Sequence, residues 1–147
     1  MGAFAIIRSM IKKKDKSVNP GKVIIPTGHP KRPEEHEVDT AWVLARHYRT
    51  TVEFLIPVDD YKRTSPDVLM NGVIWEIKSP KGKSRYTIQE QFKRASKQAK
   101  NVIIDSRRTK LKDKDIVKSI DFEIQKRPYL KKIILIDKSK KVVAIKE

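Results

Sequence analysis

Between residues 67 and 78 two short apolar runs flank a polar turn. Val68 and Met70 precede Asn71-Gly72, and Val73, Trp75 and Ile77 follow it. Asn-Gly between two such runs is the strongest short hairpin signal, because a type I′ turn needs φ > 0 at both central residues. Folding the strands about this turn predicts the register. Met70 falls opposite Val73, Leu69 opposite Ile74, Val68 opposite Trp75, and Asp67 opposite Glu76. Side chains alternate between faces along a strand, so Val68, Met70, Val73, Trp75 and Ile77 form a core face. Asp67, Glu76 and Lys78 share the other face. Leu69 and Ile74 extend that second face towards the turn, which predicts a hairpin covered on both sides.

The rest of the pattern surrounds this hairpin with helices and strands. Pro33, Glu34, Glu35 and Glu37 suit the first turn of a helix, where acids complement the dipole. Val38, Ala41, Trp42 and Ala45 mark its buried stripe. Residues 51–56 read as a strand with Val52, Phe54 and Ile56 on one face, followed by a loop over 57–65. A second helix is expected over about 87–100, with Ile88, Phe92, Ala95 and Ala99 inward. Asn101–Asp105 reads as a short buried strand. A third helix over about 113–125 carries Ile116, Ile120 and Ile124 four apart, and Pro128 closes it. Residues 130–136 and 142–145 read as final strands joined through Lys138-Ser139-Lys140. This order predicts an α/β fold, a mixed central sheet with helices on its faces. Residues 1–32, with Lys12-Lys13-Lys14 and a high density of Pro and Gly, read as a basic lead segment or linker. That leaves 33–147 as the folded domain.

The chemistry begins with the pairing of Asp67 and Glu76. Like charges directly opposite destabilise a strand pair. Apolar neighbours raise the cost by withdrawing water. A divalent cation reverses the sign of that interaction. One or two carboxylates, with the other positions left to water and substrate phosphate, describe a Mg²⁺ site. A lysine beside such a site can orient or deprotonate an attacking water, or stabilise charge on phosphorus. The implied reaction is metal-assisted hydrolysis of a phosphodiester. An acid and a Glu-x-Lys are common by chance in a chain that is 35% charged, so the cross-strand pairing carries the specificity.

Charge points to the same kind of substrate. With 34 Lys and Arg against 18 Asp and Glu, the formal net charge is +16, which favours a polyanion such as nucleic acid. Lys81, Lys83 and Arg85, with Tyr86, form a basic loop after the hairpin. They either grip phosphate and stack a base, or make an ordinary solvated turn. Gln91 and Gln98 flank the second helix's apolar stripe, where they bond backbone or hold water and substrate. Arg107 and Arg108 follow a buried strand, where they can meet phosphate. Glu37 lies at the edge of the first helix's stripe. It either complements the dipole or reaches the acid face from the side of the sheet.

Other classes find no support. There is no cysteine, which excludes disulfides and thiolate metal sites. Five glycines make no phosphate-binding loop. His29, His36 and His47 lack metal-ligand spacing and read as surface or helix-capping residues. Trp42 and Trp75 fall on core faces. The longest apolar runs are far below the roughly 20 residues of a membrane span, so no membrane partner is expected. The apolar start, residues 1–7, precedes its basic run, the wrong order for a secretory signal.

Order and motif together resemble the PD-(D/E)XK nuclease superfamily, whose core is α-β-β-β-α-β. Pro66-Asp67 looks like the "PD" and Glu76-Ile77-Lys78 like the "(D/E)XK". Residues 34–105 are covered. Within that superfamily the chain is similar to the C-terminal tRNase toxin domains of contact-dependent growth-inhibition proteins. The resemblance implies a restriction-endonuclease-like core. It implies Mg²⁺, or another divalent cation such as Mn²⁺, held by Asp67, Glu76, the Ile77 carbonyl and Glu37, with Lys78 acting on the water. It further implies cleavage of tRNA in a cytoplasm after delivery to a target cell, and a cognate immunity protein. Two alternatives stand beside this reading: a DNA endonuclease of the same fold, and a non-catalytic nucleic-acid-binding protein on a nuclease-like scaffold.

Overall fold

The computed structural model describes residues 19–28, 31–56, 67–95 and 100–147. Most of the lead segment, the loop at 57–66 with Pro66, His29, Gln98 and Ala99 lie outside the described residues. The elements run β1 (Lys22–Ile24), α1 (Glu35–Tyr48), β2 (Thr51–Phe54), β3 (Asp67–Met70), β4 (Val73–Lys78), α2 (Thr87–Arg94), β5 (Asn101–Asp105), a 3₁₀ turn (Ser106–Arg108), α3 (Asp113–Lys126), β6 (Lys132–Ile136) and β7 (Val142–Lys146). All seven strands form one mixed sheet in sequential order, β1 to β7. The expected helix, three strands, helix, strand is present as α1 to β5.

The central hairpin has the predicted register at all four positions, Asp67–Glu76 included. Asn71 and Gly72 have φ of 52° and 75°, the positive pair that a type I′ turn demands. Alternation then separates two cores. Val68, Met70, Trp75 and Ile77 lie under α1 with Leu44, Ala45, Val52 and Phe54. The opposite face holds Val102, Ile104, Ile133 and Leu135 under Ile88 and Phe92 of α2 and Ile116 and Ile120 of α3. β5 is buried on both faces, which is why Val102-Ile103-Ile104 is an unbroken apolar run.

Several expectations need correction. Lys22–Ile24 pairs in parallel with β2, so these residues belong to the folded sheet and not to a linker. A three-residue strand has no periodicity to read, and its partner lies beyond a whole helix. Gly21 makes this possible: at φ 105°, a Cβ would stand 2.7 Å from the Ala45 carbonyl oxygen. In α1 the fully buried positions are Thr40, Ala41, Leu44 and Ala45, while Val38 and Trp42 pack only partly. Helix α2 ends at Arg94 because Ala95 turns extended (ψ 141°), short of the expected 100. The hairpin is not covered on both sides near its turn, since Ile74 is 56% exposed.

Candidate functional site

The two-residue turn makes Met70–Val73 a hydrogen-bonded pair. Alternation along the ladder leaves Asp67–Glu76 as a non-hydrogen-bonded pair. A separate contact agrees: the Asp67 carbonyl accepts from the Leu55 N–H at 3.0 Å, so its backbone groups face β2. Non-hydrogen-bonded pairs have the closer spacing, Cα atoms about 4.5 Å apart, and bring side chains nearest. The two carboxylates therefore project together from the α2–α3 face of the sheet.

Lys78 lies two residues beyond Glu76 on that face. Its row continues through Ile104 to Leu135, and the Glu76 row through Val102 to Ile133. These four apolar neighbours are buried, and Lys78 itself is only 5% exposed. Its Nζ stands 4.0 Å from Oε1 of Glu76, whose side chain is 12% exposed. Burial pushes the Lys78 ammonium below its ordinary value. The Glu76 carboxylate opposes that push, Arg94 adds to it, and Asp67 opposes it. The site thus joins a half-buried Asp67, a largely buried Glu76 and a buried Lys78 on two neighbouring strands. Hard oxygen donors of this kind fit a small divalent cation.

The family model of the contact-dependent growth inhibition CdiA C-terminal domain matches residues 63–142, which span this site and the sheet beyond it. The chain belongs to that family. The CdiA C-terminal domain described here is also similar in fold to a chain of the CdiA-CT/CdiI toxin and immunity complex from Burkholderia pseudomallei. The TM-score is 0.59 and the identity 22%, over 86% of this chain and 100% of that one. No curated protein matches it in sequence. Among the described residues of this CdiA domain, no helix is long and apolar enough to cross a membrane.

The other expected site residues are divided. Gln91 is half-buried on the inward stripe of α2 between Ile88, Phe92 and Ala95, over the acid face. Lys81, Lys83 and Arg85 are exposed on the loop that leaves β4. Glu37 belongs to α1, on the other side of the sheet from the acids. Its Oε1 accepts from the Glu34 N–H at 2.8 Å as half of a capping box. Glu34, His36 and Glu37 do cluster, with ligand atoms within 4.8 Å. Both ring nitrogens of His36 already have neighbours, however: Nδ1 lies 3.3 Å from Glu34, and Nε2 lies 2.6 Å from Arg108. The observed role of Glu37 is at the helix terminus.

Arg107 is likewise committed within the fold. Its Nε and Nη2 donate to Asp105 at 2.9 and 2.7 Å, and Nη1 pairs with Asp39 at 2.7 Å. Hydrogen bonding and charge from Asp105 hold its guanidinium above the ordinary range. Asp105 is 2% exposed and also accepts from Thr40 Oγ1 at 2.5 Å. The structure thus gives Arg107 partners within the fold, Asp105 and Asp39, beside the phosphate contact expected of it. Arg107→Met is expected to destabilise the domain by about 3–5 kcal/mol by leaving Asp105 unpaired. Urea unfolding reads the change. Unaltered stability with weakened nucleic-acid binding would return Arg107 to the substrate contacts. Arg108 keeps a place beside the motif, donating to the Ser79 carbonyl at 3.3 Å as well as to His36.

Sequence reasoning missed the Thr40–Asp105–Arg107 network and the contact of His36 with Arg108. Thr40 and Asp105 are 65 residues apart, and His36 and Arg108 are 72 apart, so no local spacing announces those contacts, whereas Arg107 lies only two residues from Asp105. It also passed over Glu53, a half-buried acid of β2 whose partner is Leu69, on the same face as Asp67. Strand parity alone would have found it.

Proposed function

We propose that this domain is a divalent-cation-dependent nuclease of the PD-(D/E)XK kind, acting on RNA and most readily on tRNA. The observation that carries the reading is the closer-spaced pairing of Asp67 and Glu76 with Lys78 buried beside them. A fold gains nothing from two acids in register on a half-apolar face. The net charge of +16 supports a polyanionic substrate, and membership of a growth-inhibition toxin family supports a destructive activity.

Asp67 and Glu76, with the Ile77 carbonyl, would hold Mg²⁺ or Mn²⁺. When bound, the ion would offset negative charge at the reacting phosphate. Lys78 follows Glu76 on the same face of β4. Its role is to orient the attacking water and to neutralise charge that develops on the phosphoryl oxygens. Water adds to phosphorus, the bond to one ribose oxygen breaks, and that oxygen leaves with a proton. Gln91 and Arg108 hold the substrate near the acids. Lys81, Lys83 and Arg85 attract its backbone, a sequence-independent term that salt weakens. The domain would reach a target cytoplasm by delivery and be neutralised by a cognate immunity protein. The similar Burkholderia pseudomallei chain comes from a toxin and immunity complex, which supports such a pairing here.

The deciding experiment incubates the domain with total RNA and with plasmid DNA, with Mg²⁺ or with EDTA. RNA fragments that need the metal support the proposal. Plasmid cutting moves the substrate to DNA. Retarded but intact nucleic acid in both arms leaves a binding protein.

A further inference from the structure

A groove of about 1020 Å³ runs between the loop before α2 and the outer side of α3. It is separate from the acid pair, and the hairpin does not line it. Two large aromatics on its walls are turned to solvent: Tyr86, 50% exposed, and Phe122, 59% exposed. Each carries a cation over its ring, Arg85 at 4.8 Å from the Tyr86 centroid and Lys126 at 5.1 Å from that of Phe122. Arg85 Nη2 also donates to the Tyr86 hydroxyl at 2.5 Å, a second tie between the two side chains. Aromatics and cations set together in this way are common where the flat faces of bases are bound.

The charge of the groove narrows the occupant. Lys83, Arg85 and Lys118 line it, but so do Asp115, Asp121 and Glu123. Arg127 takes up Glu123 at 3.0 Å, which leaves two acids against three cations. A track for duplex phosphates would be more uniformly basic than this. Unpaired bases fit better. Their faces stack on aromatic rings and guanidinium planes, and their edges offer N–H groups to carboxylates and amides such as Asp115, Asp121 and Gln89. The place is also suitable. Tyr86 caps α2 only eight residues beyond Lys78, a span of at most about 28 Å. One bound strand can therefore occupy both regions.

We infer that the Tyr86–Phe122 groove is a subsite for unpaired nucleotides and selects single-stranded or looped RNA over duplex. The inference rests on the nuclease reading for its biological sense, but its test does not need catalysis. Protein kept in EDTA is titrated into a short fluorescein-labelled single-stranded oligoribonucleotide, and separately into a duplex of the same composition. Both aromatics are exposed, so Tyr86→Ala and Phe122→Ala should melt like the parent. Each is expected to weaken single-strand binding about 5- to 100-fold, as loss of one stacked base does. Duplex binding should change less than twofold, and Phe122→Trp should restore affinity. Equal single-strand affinity in the alanine variants overturns the subsite, even if cleavage of RNA is found. Loss of inhibition by the immunity protein with RNA binding intact also overturns it and makes the groove a protein surface. A selective loss of single-strand binding in a protein that never cleaves RNA keeps the subsite and removes the nuclease.

Discussion

Lys78→Met should all but abolish cleavage and, in EDTA, give a more stable protein. The activity side follows from the role of the ammonium beside the acid pair. Removing one positioned acid–base or charge-stabilising group typically costs about 10²–10⁴-fold in turnover. The stability side follows from its burial. Lys78 is 5% exposed in a row completed by Ile104 and Leu135, and burial holds its ammonium below the ordinary value despite two nearby carboxylates. The charged form is thus worse off in the folded chain than in the unfolded one. Below the folded-state value both states carry the proton, and the whole burial penalty applies. As pH rises through that value, the folded chain releases its proton while the unfolded chain keeps it. Stability therefore increases with pH up to the unfolded value, about 10.4, and levels off there. Methionine fills similar space without a charge, so the variant should start higher at neutral pH and lack the rise. Thermal melts across pH in EDTA, with cleavage assays in parallel, measure both halves. A variant that cuts RNA as fast as its parent would remove Lys78 from the chemistry. One that melts lower at neutral pH would show that the carboxylates outweigh desolvation.

Asp67→Asn should uncouple the protein from divalent metal. In the parent, a ligand that binds only the folded state stabilises it by about 2.7 kcal/mol at a hundredfold excess over its dissociation constant. The variant loses one of the two carboxylates and half of their negative charge, and that gain should vanish together with cleavage. Without metal, relief of the opposed charges should raise stability by about 0.2–1 kcal/mol, the scale of a cross-strand pair. Urea unfolding with Mg²⁺ and with EDTA gives four midpoints. The proposal requires that only the parent moves on adding metal. If both proteins shift alike, the ion binds elsewhere, and the pairing of Asp67 with Glu76 needs another explanation.

Local patterns made much of this fold legible. The Asn71-Gly72 turn fixes its own geometry, so the register of β3 and β4 and the facing of Asp67, Glu76 and Lys78 could be read without any distant partner. The Ile116 and Ile120 repeat likewise places α3. Legibility ended where a distant contact decides the outcome. Thr40 is buried inside a helix because Asp105 waits opposite it. Arg107 reads as a free cation until Asp39 of α1 comes within 2.7 Å of it. Glu37 sits on an acidic first turn, and the sequence does not say which way its carboxylate leans. Polar residues are where side-chain length leaves several partners in reach, so their assignments change most between sequence and structure.

The strictly sequential sheet has a consequence for how the chain comes to be folded. Every strand joins the edge left by the strand before it, so no segment must wait for a later one to slot in beside it. The β3–β4 and β6–β7 hairpins close over short turns, and each parallel crossover is bridged by a helix, so every addition joins neighbours in sequence. A chain that becomes available from its amino end can assemble strand by strand. The acids and lysine of the central hairpin would come together before the last third of the polypeptide arrives.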